Sequence, residues 1–280
     1  MLPATSHLKV GVFVDVANIY MNGGQKMQYD VLRNFACRDG AEPLRLNAYV
    51  TFDTVRAEED EEYRKGALNF HFALRDLGYK VIVKEIQWYY DDEGNRIPKA
   101  NVDLEMAVDA LLQANHLDRI LIASGDGDFT NVIRALQSKG LRVEVVGLDN
   151  VSNRLKTEAD VFLSGFLIPE LVPVTEQTKI DPPPAWGDPE SRVRGWCYWH
   201  SEQGYGFFRY LKNISAKLWV TDTRDTESPY GTIFFHDSNL PPSVNPNHLP
   251  NRNYIFEFAI GKSDRGSGVQ ALDIDLVSRS

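Results

Sequence analysis

Short runs that are apolar at nearly every position alternate along the first part of the chain with longer stretches whose apolar residues recur every three or four places. Val10–Val16 is apolar and β-branched apart from Gly11, Phe13 and Asp15, the mark of a strand buried on both faces of a sheet. Leu44–Phe52, Tyr79–Tyr90, Arg119–Ala123 and Arg142–Val146 read as further strands. Between them the spacing predicts helices near Tyr29–Cys37 and over Glu58–Leu77, where Tyr63, Ala67, Phe70 and Leu74 share a face before Gly78. Two more are predicted from about Asn101 to Ala114 and from Phe129 to Ser138, the latter stopping at Gly140, with a hairpin turn at Asp92–Asn95. Strands alternating with helices in this way predict a parallel sheet covered by helices.

The pattern changes after Leu171. Residues 172–190 carry Pro173, Pro182, Pro183, Pro184 and Pro189 among polar residues, a composition that predicts a semi-extended linker. From Arg192 onward, short aromatic and β-branched runs broken by Gly, Asn and Pro predict a small all-β barrel with no helix. The expected division is therefore 8–171, a linker over 172–190, and 191–280.

Composition adds limits to this picture. At 280 residues, 43% hydrophobic and 25% charged, the chain is long enough for a sizeable core or two domains. No apolar run approaches a membrane span, and Met1–Leu8 lacks the basic and apolar regions of a signal peptide, so a cytoplasmic protein is expected. Cys37 and Cys197 are far apart in sequence, which argues against a disulfide framework or a zinc cluster. A net charge of −9 argues against gripping nucleic acid by bulk positive charge. Residues 191–280 hold 10 Lys and Arg against 9 Asp and Glu, leaving 20 against 30 in residues 1–190, so the acidic excess lies in the first part. Solvated faces such as Glu58–Glu62 account for much of it.

Ligands of open parallel sheets bind beyond the carboxyl ends of the strands, so residues just past those ends converge although they are distant in sequence. Asp15 ends the first strand; Asp126 and Asp128 follow Leu121–Gly125; Asp103 begins a helix, and Asp109 lies six residues further along it. A carboxylate cluster of this kind suits Mg2+ or Mn2+, which prefer carboxylate and water ligands. Asn18 and Ser124 stand where they would orient a substrate, although both residue types are also common helix caps. The same alternative holds for Asp126 and Asp128, because an Asp-Gly turn can equally cap the helix after it. The expected duties are direct metal ligation for Asp126, and ligation through water or helix capping for Asp128.

The motifs Val14-Asp-Val-Ala-Asn18, Lys99-Ala-Asn-Val-Asp103 with Asp109, Ser124-Gly-Asp-Gly-Asp-Phe129 and Gly140-Leu-Arg-Val-Glu-Val-Val146 resemble the NYN family, the LabA-like branch of PIN nucleases, over roughly residues 8–170. The resemblance implies a PIN-like three-layer α/β fold, a parallel sheet with helices on both faces, and metal-dependent RNA cleavage. By position it implies catalytic roles for Asp15, Asn18, Asp103, Asp109, Asp126 and Asp128, with Asp15, Asp103, Asp126 and Asp128 holding Mg2+ or Mn2+. One departure is Ala100 where the family often has lysine, with Lys99 one step earlier.

In the second part, Gly204-Tyr-Gly-Phe-Phe208 places Tyr205 and Phe207 on one face of a strand, and Ile233-Phe-Phe-His236 does the same for Phe234 and His236. Such faces stack single-stranded bases, each worth about 1–3 kcal/mol; rings at these spacings also commonly fill a barrel core. Gly195–Phe208, Thr232–Leu240 and Val269–Leu276 together resemble a cold-shock domain, an OB-fold. That resemblance implies nucleic-acid binding by Tyr205, Phe207, Phe234 and His236, and by either Tyr198 or Trp199. Asp237 stands where the family usually has an aromatic and Gln203 where a lysine is common, both of which predict weaker binding. Residues 212–230 read as a longer strand-and-loop region.

The leading expectation is a metal-dependent ribonuclease acting on single-stranded RNA, with no membrane partner and a homo-oligomer left open. Arg56, Arg64, Lys65, Arg134 and Lys139 are candidate backbone guides, or simply solvated helix faces. The competing readings are a non-catalytic RNA-binding regulator with a vestigial acidic site and a metal-dependent phosphatase, the latter disfavoured because the first strand lacks an Asp-x-Asp pair.

Overall fold

The computed structural model describes residues 8–90, 93–99, 102–174, 184–262 and 268–279. Lys99 and Arg96 side chains, Ala100 and residues 175–183 of the Pro-rich segment lie outside what is described. The chain divides into two compact units, the first running to Leu163 apart from Lys26–Gln28, and the second formed by those three residues with Ser164–Ser280. Among the described residues no helix is long and apolar enough to cross a membrane.

The first unit is built on a six-stranded sheet in the order β3-β2-β1-β6-β7-β8. Its strands are β1 (Lys9–Asp15), β2 (Glu42–Phe52), β3 (Lys80–Glu85), β6 (Arg119–Ala123), β7 (Arg142–Gly147) and β8 (Val161–Ser164). From β3 across to β7 every pairing is parallel. The helices are α1 (Val16–Met21), α2 (Tyr29–Ala36), α3 (Thr54–Glu59), α4 (Glu61–Asp76), α5 (Val102–Gln113), α6 (Thr130–Ser138) and α7 (Asn153–Glu158). A separate antiparallel hairpin joins β4 (Gln87–Tyr90) to β5 (Arg96–Lys99).

Burial explains the continuous apolar runs. Phe13, Ile120, Ile122, Val143 and Val145 share one core cluster with Val102 and Met106 of α5 and Ile133 and Leu136 of α6. Val12, Val14, Leu121 and Ala123 are equally sealed, so the alternate positions of the same strands are covered as well, and α2 packs against β1 and β2. The expected single helix over Glu58–Leu77 is instead two. Asp60 breaks it at φ −124°, ψ 94°, and its carboxylate accepts from Tyr63 N to start α4. Neither α7 nor β8 was expected; both are short, six and four residues, below the length at which periodicity carries a signal.

The second unit is a closed barrel of β9 (Arg192–Ser201), β10 (Tyr205–Leu211), β11 (Tyr230–His236), β12 (Asn251–Lys262) and β13 (Val269–Arg279), in the order β10-β11-β13-β12-β9. Alternation sends Phe208, Phe235, Phe256 and Phe258 inward, where the Phe208 ring stacks on Phe235 at 4.1 Å and on Phe258 at 5.0 Å. Glu257 is fully buried between Arg192, at 3.1 Å, and Arg194, at 2.8 Å. Arg194 also donates to the carbonyls of Val172 and Pro173, and Trp186 Nε1 donates to Leu211 O at 2.7 Å. These described residues of the Pro-rich stretch are thus bound to the barrel and do not form a free spacer. Residues 212–229 contain no strand, contrary to expectation; polar turns such as Asp222–Asp225 occupy the region.

Candidate functional site

The direction of chain progression across the sheet reverses between β1 and β6. β1 leads outward to β2 and β3, while β6 leads the other way to β7 and β8. A crevice forms beyond the carboxyl ends of strands at such a reversal, and Asp15 and the turn Ser124–Asp128 sit there. Val14 is aligned with Ala123, so Asp15 falls beside Ser124. Ser124 Oγ donates to Asp15 Oδ2 at 3.2 Å, and Asn18 N donates to Asp15 Oδ1 at 3.0 Å, which starts α1. Asn18 Oδ1 accepts from Gly125 N at 2.8 Å. One asparagine therefore ties the end of β1 to the turn after β6, and holds both acidic segments in register.

Asp126 caps the turn that follows, its Oδ1 accepting from Asp128 N at 2.9 Å. The cap expected of Asp128 thus falls to Asp126. Asp126 adopts extended, cap-like backbone angles of −75° and 125°, whereas the exposed Asp128 carboxylate accepts no hydrogen bond from any described residue. The turn is braced from outside by the start of α7, where Ser152 N donates to Gly125 O at 2.9 Å. A Cβ at position 127 would lie 2.8 Å from Ser152 Oγ and 3.1 Å from Ser152 Cβ, so glycine lets Ser152 pack here without shifting.

Asp103 enters from the first turn of α5. Its carboxyl is pushed up to about 6 by burial first, then by the negative charges of Asp15, Asp126 and Asp128. Burial also raises Asp15, with Asp126 adding to it, against the Asn18 amide and Ser124 hydroxyl, which favour the charged form. The four expected metal-site acids thus act on one another electrostatically. Asp109 does not join them: it lies about 9 Å further along the helix, and its Oδ2 accepts from the buried Tyr49 hydroxyl at 2.8 Å. That carboxylate and burial hold the Tyr49 phenol far above its usual range. Asp109 thereby ties α5 to β2, a bracing contact that the catalytic role implied for its position did not foresee.

Among the described residues, no three His, Cys, Asp or Glu side chains stand close enough to enclose a metal ion. The donor set nevertheless fits a water-rich site for a hard cation. Mg2+ commonly uses one or two carboxylates and completes its shell with water and phosphate oxygens. The raised Asp103 carboxyl marks the excess negative charge that such a cation would offset.

On the barrel, Trp199, Tyr205, Phe207 and Phe234 form one continuous outer array. Trp199 lies 5.5 Å from Tyr205 and 5.7 Å from Phe207, and Phe234 is 5.9 Å from both Tyr205 and Phe207. Trp199 is 42% exposed. Gly206 keeps the strand close, since a Cβ there would lie 2.6 Å from the buried Phe235 ring. A register shift between Phe207, opposite Trp199, and Phe208, opposite Cys197, leaves Tyr198 as the extra residue. Trp199 takes the place in the array, while Tyr198 sits under the Arg209 guanidinium at 4.4 Å. His236 is exposed at the strand end, where its Nδ1 contacts Ser238 Oγ at 2.8 Å. Asp237 pairs with His200 at 2.8 Å.

The candidate guiding cations are largely engaged locally: Arg56 with Asp60, Arg64 and Lys65 with Glu61, Arg134 with Glu158, and Lys139 with Asn115. Sequence reasoning missed Arg154, in the first turn of α7, which lines a pocket beside the acidic turn. Ser152 before it, a residue type favoured at helix starts, was the available signal.

Comparison with known proteins places these observations in a family. The NYN domain profile matches residues 9–169. The low amplitude and bright protein LabA of Synechococcus elongatus is 30% identical over 162 residues, spanning 55% of this chain and 82% of that protein. A crystal structure of a Vibrio parahaemolyticus protein of unknown function is 26% identical, with a TM-score of 0.47, covering 57% of this chain and 94% of that one.

Proposed function

Because the chain belongs to the NYN domain family, a PIN-like nuclease group, we infer that it is a metal-dependent ribonuclease that hydrolyses phosphodiester bonds of single-stranded RNA. The observation that carries this reading is the raised Asp103 carboxyl at the sheet's reversal point, lifted by burial and then by the charges of Asp15, Asp126 and Asp128. Perturbed acids held together in a strand-end crevice are the signature of a working site. One or two carboxylates of the set Asp15, Asp103, Asp126 and Asp128 would hold Mg2+ or Mn2+, with water and phosphate oxygens completing its shell. When bound, the cation supplies Lewis acidity, activating water and offsetting charge that builds on the phosphate. The protein's own contribution is positioning. Ser124 and the Asn18 amide align the buried Asp15 and favour its charged form against its burial, and the bond from Gly125 N to Asn18 leaves the Asn18 side-chain nitrogen for a substrate oxygen.

The barrel extends the reading to its substrate. A closed strand order in which the third strand pairs in parallel with the fifth and the first pairs with the fourth supports an OB-type, cold-shock-like assignment. The open ring array of Trp199, Tyr205, Phe207 and Phe234 suits unpaired bases, while Phe208 and Phe235 serve the core. Stacking of this kind supplies affinity without the positive charge that the chain lacks.

One observation favours the second reading, an RNA-binding regulator without catalysis: Asp15 and Asp126 both spend oxygens on helix starts. Cleavage of end-labelled single-stranded RNA with Mn2+ separates the two. The expected result is cleavage by the wild type, abolished by EDTA and by Asp103→Asn, Asp126→Asn or Asp128→Asn. Equal rates in all four proteins would reject the nuclease reading.

A further inference from the structure

Beside the acidic turn is a pocket of about 510 Å³ bordered by Gly127, Asp128, Asn131, Arg134 and Arg154. Its walls carry two guanidiniums against one carboxylate, in a protein whose net charge is −9. The two arginines differ in their state. Arg134 is committed in part, since one of its terminal nitrogens lies 2.7 Å from Glu158 Oε2. Arg154, an exposed side chain, lines the pocket and has no hydrogen bond or ion pair to any described residue.

That placement is built into the fold. Ser152 packs directly against Gly127, and Ser152 N is bonded to Gly125 O. The first turn of α7 is thereby fixed to the same turn that carries Asp126 and Asp128. Leu155, adjacent to Arg154, is fully buried in the sheet core, so the backbone presenting the guanidinium is rigid. A planar fork of donors without an internal acid, next to the proposed hydrolytic acids, matches the oxygens of a phosphate group.

We propose that this pocket is a binding subsite for a phosphodiester of the substrate strand next to the one that is cleaved, with Arg154 as its principal ligand and Arg134 and Asn131 as its flanks. The subsite rests on the reading of the chain as acting on RNA. It would set the register of the strand over the acids, as phosphate contacts do for nucleic-acid binding in general.

The test measures equilibrium binding of a labelled single-stranded RNA to the full chain in EDTA, so that catalysis does not enter. Trp199 and Tyr205 are both replaced by Ala in this background so that stacking on the barrel does not mask the effect. Arg154→Ala should weaken binding roughly tenfold and reduce the slope of log affinity against log salt by about 0.7. Arg45→Ala, the same change near the opposite, amino-terminal end of the sheet, should leave both unchanged. Binding by Arg154→Ala equal to the parent, or an equal loss in both variants, would overturn the subsite. Cleavage by otherwise wild-type protein is read separately. Loss of binding on Arg154→Ala with no wild-type cleavage rejects hydrolysis and keeps the subsite; intact cleavage with unchanged binding rejects the subsite and keeps hydrolysis.

Discussion

Removing one carboxylate from the acidic edge is expected to make the metal-free protein more stable, and Asp103→Asn tests this. Unfolded, Asp103 titrates near 3.8; in the folded state it titrates at about 6. Between these pH values the folded chain binds more protons than the unfolded one, so stability falls as pH rises through this window and stays lower above it. Each pH unit of separation corresponds to about 1.36 kcal/mol, giving an upper bound of about 3 kcal/mol at pH 7. Asp103 is only partly buried, and solvent screening brings the expected figure to about 1–2 kcal/mol. Asparagine keeps the shape and removes the charge. In EDTA at pH 7, Asp103→Asn should therefore be about 1–2 kcal/mol more stable than wild type, and the gain should vanish below about pH 3, where both states are protonated. Hydrogen exchange of peptides from β1 and α5 at increasing urea reads this unit apart from the barrel. Adding Mg2+ should reverse the order, because a cation at about a hundred times its Kd stabilises only the form that binds it, by about 2.7 kcal/mol. A variant equal to or weaker than wild type in EDTA at pH 7 would refute the electrostatic account of the site.

The barrel's two ring sets should separate cleanly. Trp199→Ala or Tyr205→Ala should each weaken single-stranded RNA binding by about 1–3 kcal/mol in a fluorescence-anisotropy titration while leaving the melting temperature nearly unchanged. Phe208→Ala should instead cost about 3–5 kcal/mol of barrel stability by denaturant unfolding, since it empties the centre of the stacked core. Glu257→Ala strands Arg192 and Arg194 in the interior and should cost about 3–5 kcal/mol in the same assay. Asp275→Asn, which removes only the exposed partner of Arg192, should cost under about 1 kcal/mol.

What was readable from the sequence, and what was not, follows the range of each signal. Apolar runs such as Val10–Val14 and Arg119–Ala123 mark buried parallel strands because burial on both faces leaves no polar position to confuse the pattern. The acids were found because strand ends in such a sheet converge by topology. Asp109 could not be assigned in the same way: only the fold brings Tyr49 to it from 60 residues away. That the cap expected of Asp128 falls to Asp126 has a different cause. Helix capping and metal ligation ask for the same residue type at the same place, so sequence offers them as alternatives. A carboxylate has two oxygens, however, and the fold uses Asp126 Oδ1 to start the turn while Oδ2 accepts no bond from a described residue. Capping and ligation are therefore compatible at Asp126: the hydrogen bond from Asp128 N fixes the carboxylate's direction, which is what a ligand needs before a cation arrives. The same logic applies to Asn18, whose side-chain oxygen ties two segments together while its nitrogen stays available. At this edge the groups that build the fold are the groups that would do the chemistry, and each divides its atoms between the two tasks.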